Sequence, residues 1–545
     1  MAITIPTQIE KCKGAMLATA IGDALGWPNE PRSKNRIEKP KVNDFFVEWT
    51  RSCKEPRWHD ERILPGEYSD DTQMTLSVAR SIIVGDWERF LAEKELPFWL
   101  RYERGGGGAL LKAARSINDK KELLWQSPYH AKAYFSAGGN GAAMRILPHV
   151  IANANRADIS ALMLDVIKDT LITHGHPRAF LGATCYAFAL DYLLRKDTVL
   201  EYGELVSAVI DGQQSWGAFP NHDVFGQWLG TAKQYAGFDY AQEWEKDRSN
   251  MLHQLEFIKS SLKKGLMLDD TKIMTNLECF GNVNGAGDVA ALAAIYLASR
   301  YATNPTLGIK VPAFSFNADT DTIASITGGL LGMLCGTSWI PTEWKVVQDF
   351  ECLVQIAELL LSDNKKAATK TEVTEAKSQS SDWQNFPIGK MRLIDTKQAS
   401  NGKYGFVIIK KWLTVLGQTI YIKEFQPIDN YPSQRTQEDR QIRLDILPQL
   451  VTYETKLQQT TLQQVATTES AQKTIEVKAH ERQFSLNASI IKALLDKQEF
   501  RGNVTVGKVF KVIQAFIEND ESVTEVAKRL GLDEGMVNLL KMYVK

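Results

Sequence analysis

The sequence predicts an all-α N-terminal domain followed by a smaller α+β region. Apolar residues recur at three- and four-residue spacing from residue 9 to residue 361, with few β-branched alternating runs. A polar, lysine-rich stretch, SDNKKAATKTEVTEAKSQSS at 362–381, then breaks the pattern and reads as a linker. Beyond it the texture shifts to short alternating segments with an Asn401-Gly402 turn signal.

The helical pattern is strongest at 14–25, 72–84, 161–171, 177–194, 288–301 and 322–335. Two of these stretches are rich in small residues. Gly14, Ala15, Ala18, Thr19 and Gly22 mark the first, and Gly328, Gly329 and Gly332 interrupt the last. Glycine inside a helix costs about 1 kcal/mol against alanine, a cost accepted where backbones or ligands approach closely. After the linker, 391–394, 404–409 and 419–425 read as strands, 436–478 as polar helix, and 485–545 as a closing helical block. The division expected is therefore a domain at 1–361, a linker at 362–385 and an accessory domain at 386–545.

The segment SVTEVAKRLGLDEGMVNLLKMYVK at 522–545 has helix-turn-helix spacing, with Ala527, Gly531, Val537 and Leu540 at the contact and turn positions. Its second helix offers no Arg or Gln to read base edges. A protein contact or a small core is preferred over DNA as its role.

Composition narrows the function classes. The chain has 545 residues, 44% hydrophobic and 24% charged, which fits a globular protein of two or more domains. Its formal charge of −1 lacks the footprint of a nucleic-acid binder. The start, MAITIPTQIEKCKGAML, does not read as a secretory signal, and no apolar run reaches the length of a membrane span. A cytoplasmic location without membrane contact is the expectation. The cysteines at 12, 53, 185, 279, 335 and 352 have no metal-ligand spacing and fit free thiols.

Four acidic clusters sit at helix ends or in loops. They are Gly22-Asp23-Ala24-Leu25-Gly26-Trp27-Pro28-Asn29-Glu30, Ser69-Asp70-Asp71-Thr72, Gly287-Asp288 and Asp319-Thr320-Asp321-Thr322. Acids before an apolar helix are also what an N-cap looks like. A cap needs one oxygen, however, and the last cluster supplies two carboxylates and two hydroxyls. Carboxylates buried in such number repel one another and require a cation. All-oxygen donors select a hard one, magnesium or manganese before zinc.

These residues also form a pattern. Gly14-Ala15, Gly22-Asp23-Ala24-Leu25-Gly26 and Glu30 resemble the opening motif of the ADP-ribosylglycohydrolase family. Ser69-Asp70-Asp71-Thr72-Gln73-Met74 is similar to that family's Thr-Asp-Asp-Thr-x-Met segment. Gly138-Gly139-Asn140-Gly141-Ala142-Ala143-Met144-Arg145, Ile172-Thr173-His174 with Pro177-Arg178-Ala179, and Asp319-Thr320-Asp321-Thr322-Ile323-Ala324 complete the order. The resemblance implies an all-α fold with a binuclear magnesium centre at the base of a cleft. Glu30, Ser69, Asp70, Asp71, Asp319, Asp321 and Thr322 take the ligand positions. Ser69 stands where the family has threonine, which keeps the oxygen and loses a methyl.

The implied reaction is hydrolysis of the bond joining ADP-ribose to a modified protein, through an oxocarbenium-like transition state. Arginine is the preferred linkage, ahead of serine or a nucleic-acid base. Glu30, Asp70 and Asp71 are the candidates for the catalytic carboxylate. The diphosphate needs donors. Gly139, Asn140 and Gly141 offer backbone N–H groups, and Gly106 and Gly107 belong to a second glycine loop that reads equally as a lid. Arg145 reads as a phosphate clamp or an internal salt bridge. His174 and His176 read as caps or core groups, and Trp27 and Tyr102 as core by default. The alternatives are a non-catalytic ADP-ribose sensor whose C-terminal domain contacts DNA or a protein, and a hydrolase of another nucleotide-sugar conjugate.

Overall fold

The computed structural model describes residues 5–30, 42–362, 382–399 and 405–427. The helices needed below are α1 (Gln8–Gly26), α2 (Asp70–Val84), α3 (Gly108–Lys120), α4 (Ile159–Thr173), α5 (Pro177–Arg195), α6 (Tyr240–Leu262), α7 (Gly287–Arg300), α8 (Thr320–Cys335) and α9 (Phe350–Leu361). Six of these extend the periodic stretches read from the sequence by one to six residues at an end, where caps rather than periodicity set the limit. Thr7 caps α1 through its side chain, Ser69 caps α2, and Gly85 stops α2 in the left-handed region at φ 105°.

The core is centred on α1 and α8, whose backbones touch. A Cβ on Gly22 would lie 2.2 Å from the Ala324 carbonyl oxygen, and one on Gly328 would lie 2.1 Å from that of Ala18. The small-residue stripes are therefore a helix–helix contact with no room for a methyl group. Around this pair the buried apolar residues of α4, α5, α7 and α9 form one continuous cluster.

The helical domain is not purely α. Strands β1 (Trp49–Cys53) and β2 (His59–Ile63) pair as an antiparallel hairpin that the periodicity did not reveal, since two of the three inward positions of HDERI are His59 and Glu61. Four further strands, β3 (Trp383–Phe386), β4 (Gly389–Ala399), β5 (Gly405–Thr414) and β6 (Thr419–Pro427), form an antiparallel sheet in sequence order.

The sheet departs from the expected division at 361 and 386. Residues 1–431 form one compact unit, so the strands belong with the helices and not with an accessory domain. The reason is apolar. Met391, Trp412, Ile420 and Ile422 are buried in one cluster with Met74, Val78, Phe98, Trp99 and Leu110. The Asn401-Gly402 turn, the polar helix at 436–478 and the helix-turn-helix-like segment at 522–545 lie outside the described residues. Among the described residues no helix is long and apolar enough to cross a membrane. All six cysteines are free thiols.

Candidate metal centre and substrate cleft

The starts of α2 and α8 and the end of α1 converge on one cleft. It is lined by Glu30, Asp70, Asp71, Asp319, Asp321 and Thr322 on one wall, and by Gly105, Gly107, Gly108, Gly139, Asn140, Gly141 and His174 on the other. Five of the six carboxylates and hydroxyls on the acidic wall are carboxylates, and among the described residues no Lys or Arg lines the cleft. Segments up to 290 residues apart in sequence meet here because α1 and α8 pack without side chains between them.

The capping question is answered by the hydrogen bonds. In α2 the cap oxygen is the Ser69 hydroxyl, which accepts from the Asp71 N–H at 3.3 Å. The carboxylates of Asp70 and Asp71 are thus released from that duty. In α8, Asp319 occupies the N-cap position but makes no side-chain cap bond; its Oδ2 accepts from Asn140 Nδ2 at 2.9 Å. The acids are placed for something other than helix termination.

Their electrostatics are unfavourable as they stand. Burial, followed by neighbouring carboxylates, holds Asp70, Asp71 and Asp321 well above the usual carboxyl range. For Asp70 the carboxylate neighbours are Glu103, Asp23 and Glu30; for Asp71 they are Asp23, Asp70 and Asp319; for Asp321 they are Glu30, Asp319 and Asp71. Asp71 Oδ1 is buried and has no hydrogen-bond partner. An orphaned carboxylate oxygen among oxygen donors on the acidic wall, with no Lys or Arg lining the cleft among the described residues, fits a hard divalent cation.

Asp23 contributes in a way the sequence did not disclose. One oxygen each of Asp23, Asp71 and Asp321 lie within 4.8 Å of one another. Yet both Asp23 oxygens are already engaged. Oδ1 accepts from Ser69 N–H (2.9 Å), and Oδ2 accepts from Thr72 N–H (3.0 Å) and Thr72 Oγ1 (2.6 Å). Asp23 therefore pins the α2 turn that presents Asp70 and Asp71. Ser69 and Thr322 both donate to Asp71 Oδ2 at 3.3 Å. The Ser69 side chain is fully buried behind the acidic wall.

On the glycine wall, Gly139, Asn140 and Gly141 face the cleft as expected. Asn140 N–H donates to the Gly285 carbonyl, and Gly287 N–H to that of Gly138, which ties the loop to the start of α7. Of the two readings of Arg145, the internal salt bridge holds and the phosphate clamp is corrected. Arg145 is fully buried, not a clamp in the cleft: Nε donates to Asp169 Oδ1 (2.7 Å), one terminal nitrogen to the Gly141 carbonyl (3.1 Å), and the other to the Asp169 carbonyl and Thr173 Oγ1. Asp169, buried on the largely apolar face of α4 beside Thr170 and Thr173, draws the guanidinium inward, and from there Arg145 supports the loop from behind.

Gly106 is a second correction. Its N–H is taken by Glu103 Oε2 at 3.2 Å, and a Cβ there would meet the Trp99 ring at 2.3 Å. Gly107 and Gly108 instead open the first turn of α3 toward the cleft, with no side-chain cap on that helix. Such an N-terminus carries unpaired N–H groups suited to an anion. His174 lines the cleft with its Nδ1 2.7 Å from Thr173 Oγ1, and burial holds its pKa down to about 3, so the ring is neutral. Trp27 packs edge-on against Trp49, and Tyr102 is core.

Comparison with known proteins agrees with this assembly. The ADP-ribosylglycohydrolase family model matches residues 4–369. The chain is 28% identical over 195 residues to the ADP-ribosylarginine hydrolase Tri1 of Serratia proteamaculans, covering 34% of this chain and 48% of that one. It is 29% identical over 177 residues to the ADP-ribosyl-[dinitrogen reductase] glycohydrolase of Rhodospirillum rubrum, covering 32% and 55%. It is 23% identical over 361 residues to the ADP-ribosylhydrolase ARH3 of Danio rerio, covering 62% and 86%. The first two matches thus span about half the length of those relatives. With the family model covering most of the chain and the acidic and glycine motifs meeting in one cleft, the protein belongs to the ADP-ribosylglycohydrolase family.

Proposed function

We propose that the protein is a metal-dependent hydrolase that releases ADP-ribose from an ADP-ribosylated protein, with arginine as the linkage and magnesium, or manganese, as the metal. The observation that carries this reading is the division of one cleft into an acidic wall and a glycine wall that includes the uncapped start of α3. The first suits cations and a developing oxocarbenium ion; the second suits a diphosphate.

The ligands would come from Glu30, Ser69, Asp70, Asp71, Asp319, Asp321 and Thr322, with the Ser69 hydroxyl beside Asp71. A bound pair of cations supplies charge that holds ribose hydroxyls and makes water more acidic. The rest falls to the chain. The first turn of α3 would hold the diphosphate through main-chain N–H groups, and Gly139 and Gly141, without side chains, let it approach the opposite wall. Asn140 fixes Asp319 through its amide. Neutral His174 offers a ring nitrogen without adding positive charge beside the site of bond cleavage. Glu30, Asp70 and Asp71 remain the candidates for the carboxylate that takes the proton from the attacking water.

The test is release of free ADP-ribose from an arginine-ADP-ribosylated protein, with and without magnesium, beside Asp319→Ala. Metal-dependent release is expected, and it should fall at least about 100-fold in the variant. ADP-ribose binding without turnover of arginine, serine or nucleic-acid conjugates would replace the hydrolase reading with that of a sensor.

A further inference from the structure

The family match ends at residue 369, whereas the four-stranded sheet runs from residue 383 to residue 427. Strand β6 nevertheless reaches the back of the cleft. Lys423 Nζ donates to the Glu103 carbonyl at 3.0 Å and lies 2.8 Å from Glu61 Oε2, and both of these charged side chains are almost wholly buried. Two residues earlier on β6, Tyr421 donates its hydroxyl to Glu67 Oε1 at 2.5 Å, and its ring lies 3.9 Å under the Arg104 guanidinium. Arg104 in turn pairs with Glu61 at 2.9 Å and Glu67 at 3.2 Å.

These contacts lead directly to the glycine wall. The Glu103 carboxylate accepts from the N–H groups of Gly105 (3.0 Å) and Gly106 (3.2 Å). The Arg104 carbonyl accepts from the Asp70 N–H at 2.8 Å. Gly105 is held at φ 109°, and a Cβ on it would lie 2.8 Å from Asp70 Oδ1. One short loop thus has the sheet on one side and the first residue of α2 on the other.

We propose that the sheet beyond the family domain is part of the cleft, and that Lys423 and Tyr421 are positioning residues. They set the loop at 104–108 and, through the Arg104 carbonyl, the backbone of Asp70. Neither touches the cleft, so their effect passes through Glu103 and Arg104. A loop anchored on two sides by buried charge keeps its N–H groups aimed with little motion, and releasing one anchor returns that freedom to it.

The test uses the full chain with Lys423→Met, which keeps the aliphatic stem and removes the charge, and Lys423→Arg, which keeps the charge. Hydrogen exchange at 104–110, ADP-ribose affinity, and KM and kcat are measured; the kinetic arm rests on the hydrolase reading, and the other two do not depend on turnover. In Lys423→Met the amides at 104–110 should exchange about tenfold faster, and KM should rise about tenfold with kcat changed less, as for loss of an outer support. Lys423→Arg should recover most of both. A general loss of stability would not confine faster exchange to this loop or separate KM from kcat. Should Lys423→Met fail to fold, Tyr421→Phe removes one hydroxyl and should give the same pattern at about threefold. Parent-like exchange and affinity in the folded variants would overturn the proposal. A parent chain that binds ADP-ribose but never hydrolyses it would overturn the hydrolase reading while leaving the exchange and affinity results to decide this one.

Discussion

Two buried charge clusters lie on opposite sides of the loop at 104–108 and follow opposite plans. On the cleft side, Glu30, Asp70, Asp71, Asp319 and Asp321 gather with no Lys or Arg among the described lining residues. On the far side, Glu61, Glu67 and Glu103 alternate with Arg51, Arg104 and Lys423. The carboxyls respond accordingly. Burial and like charges hold Asp70, Asp71 and Asp321 up. Burial also pushes Glu61 up, but Lys423, Arg104 and Arg51 overcome it and pull that carboxyl far below its usual range. The far cluster pairs each acid with a base; among the described residues, Asp70, Asp71 and Asp321 have no such cation beside them. Uncompensated charge, more than burial alone, separates a site from a scaffold.

The sharpest way to break that distinction is to make the complete cluster incomplete. Glu61→Leu leaves Arg104, Arg51 and Lys423 without their shared partner and should cost about 3–5 kcal/mol in urea unfolding. A loss below about 1 kcal/mol would mean that the network is no more than surface-like pairing.

A smaller effect comes from removing charge on the cleft side. An aspartate has a pKa of about 3.9 in the unfolded chain. With the folded value raised, the native state binds more protons than the unfolded state above that pH, so stability of the metal-free protein falls as pH rises. Asp71→Asn should flatten this slope and raise the metal-free Tm by about 2–4 °C at pH 8. Magnesium should raise the parent Tm more at pH 8 than at pH 6, because protons and metal compete for the same oxygens. Thermal scans at the two pH values check both statements, and a metal-free Tm that climbs from pH 5 to pH 8 would contradict the assignment.

The smallest effect belongs to a pair outside both clusters. Arg62 and Glu48 meet at 2.7 Å on the surface, both well exposed. Arg62→Ala should shift Tm by less than about 1 °C. A larger shift would show that the hairpin carrying Arg62 is stabilised from its surface and not from Ile63 and Cys53 beneath.

Much of this was legible in the sequence where one physical signal dominated. The periodicity of α2, α5 and α8 located them, and the paired acids before α2 and α8 marked the cleft. The hairpin at β1 and β2 was hidden because its buried positions include His59 and Glu61, which break the apolar alternation a strand is read from. The place of the sheet was hidden because the partners of Met391 and Trp412 lie some 300 residues earlier in the chain. Asp23 stood in a quoted motif, but nothing local shows that its oxygens serve Ser69 and Thr72. For Arg145 a signal did exist: Asp169 sits on the apolar face of LMLDVIKDTLIT, and a buried acid needs a cation.

The contact between α1 and α8 also limits how this protein can change. Besides Gly22 and Gly328, a Cβ on Gly26 would fall 2.2 Å from the Thr320 carbonyl oxygen and 2.7 Å from the Asp321 Cα, and one on Gly332 would fall 2.1 Å from the Gly14 carbonyl oxygen. In a library of single substitutions these helix positions should accept no other amino acid, although none of them lines the cleft. A scan for activity would then score them as sharply as the acids themselves. Only a parallel screen for folded protein would distinguish the glycines that set the helix spacing from the residues that carry out the chemistry.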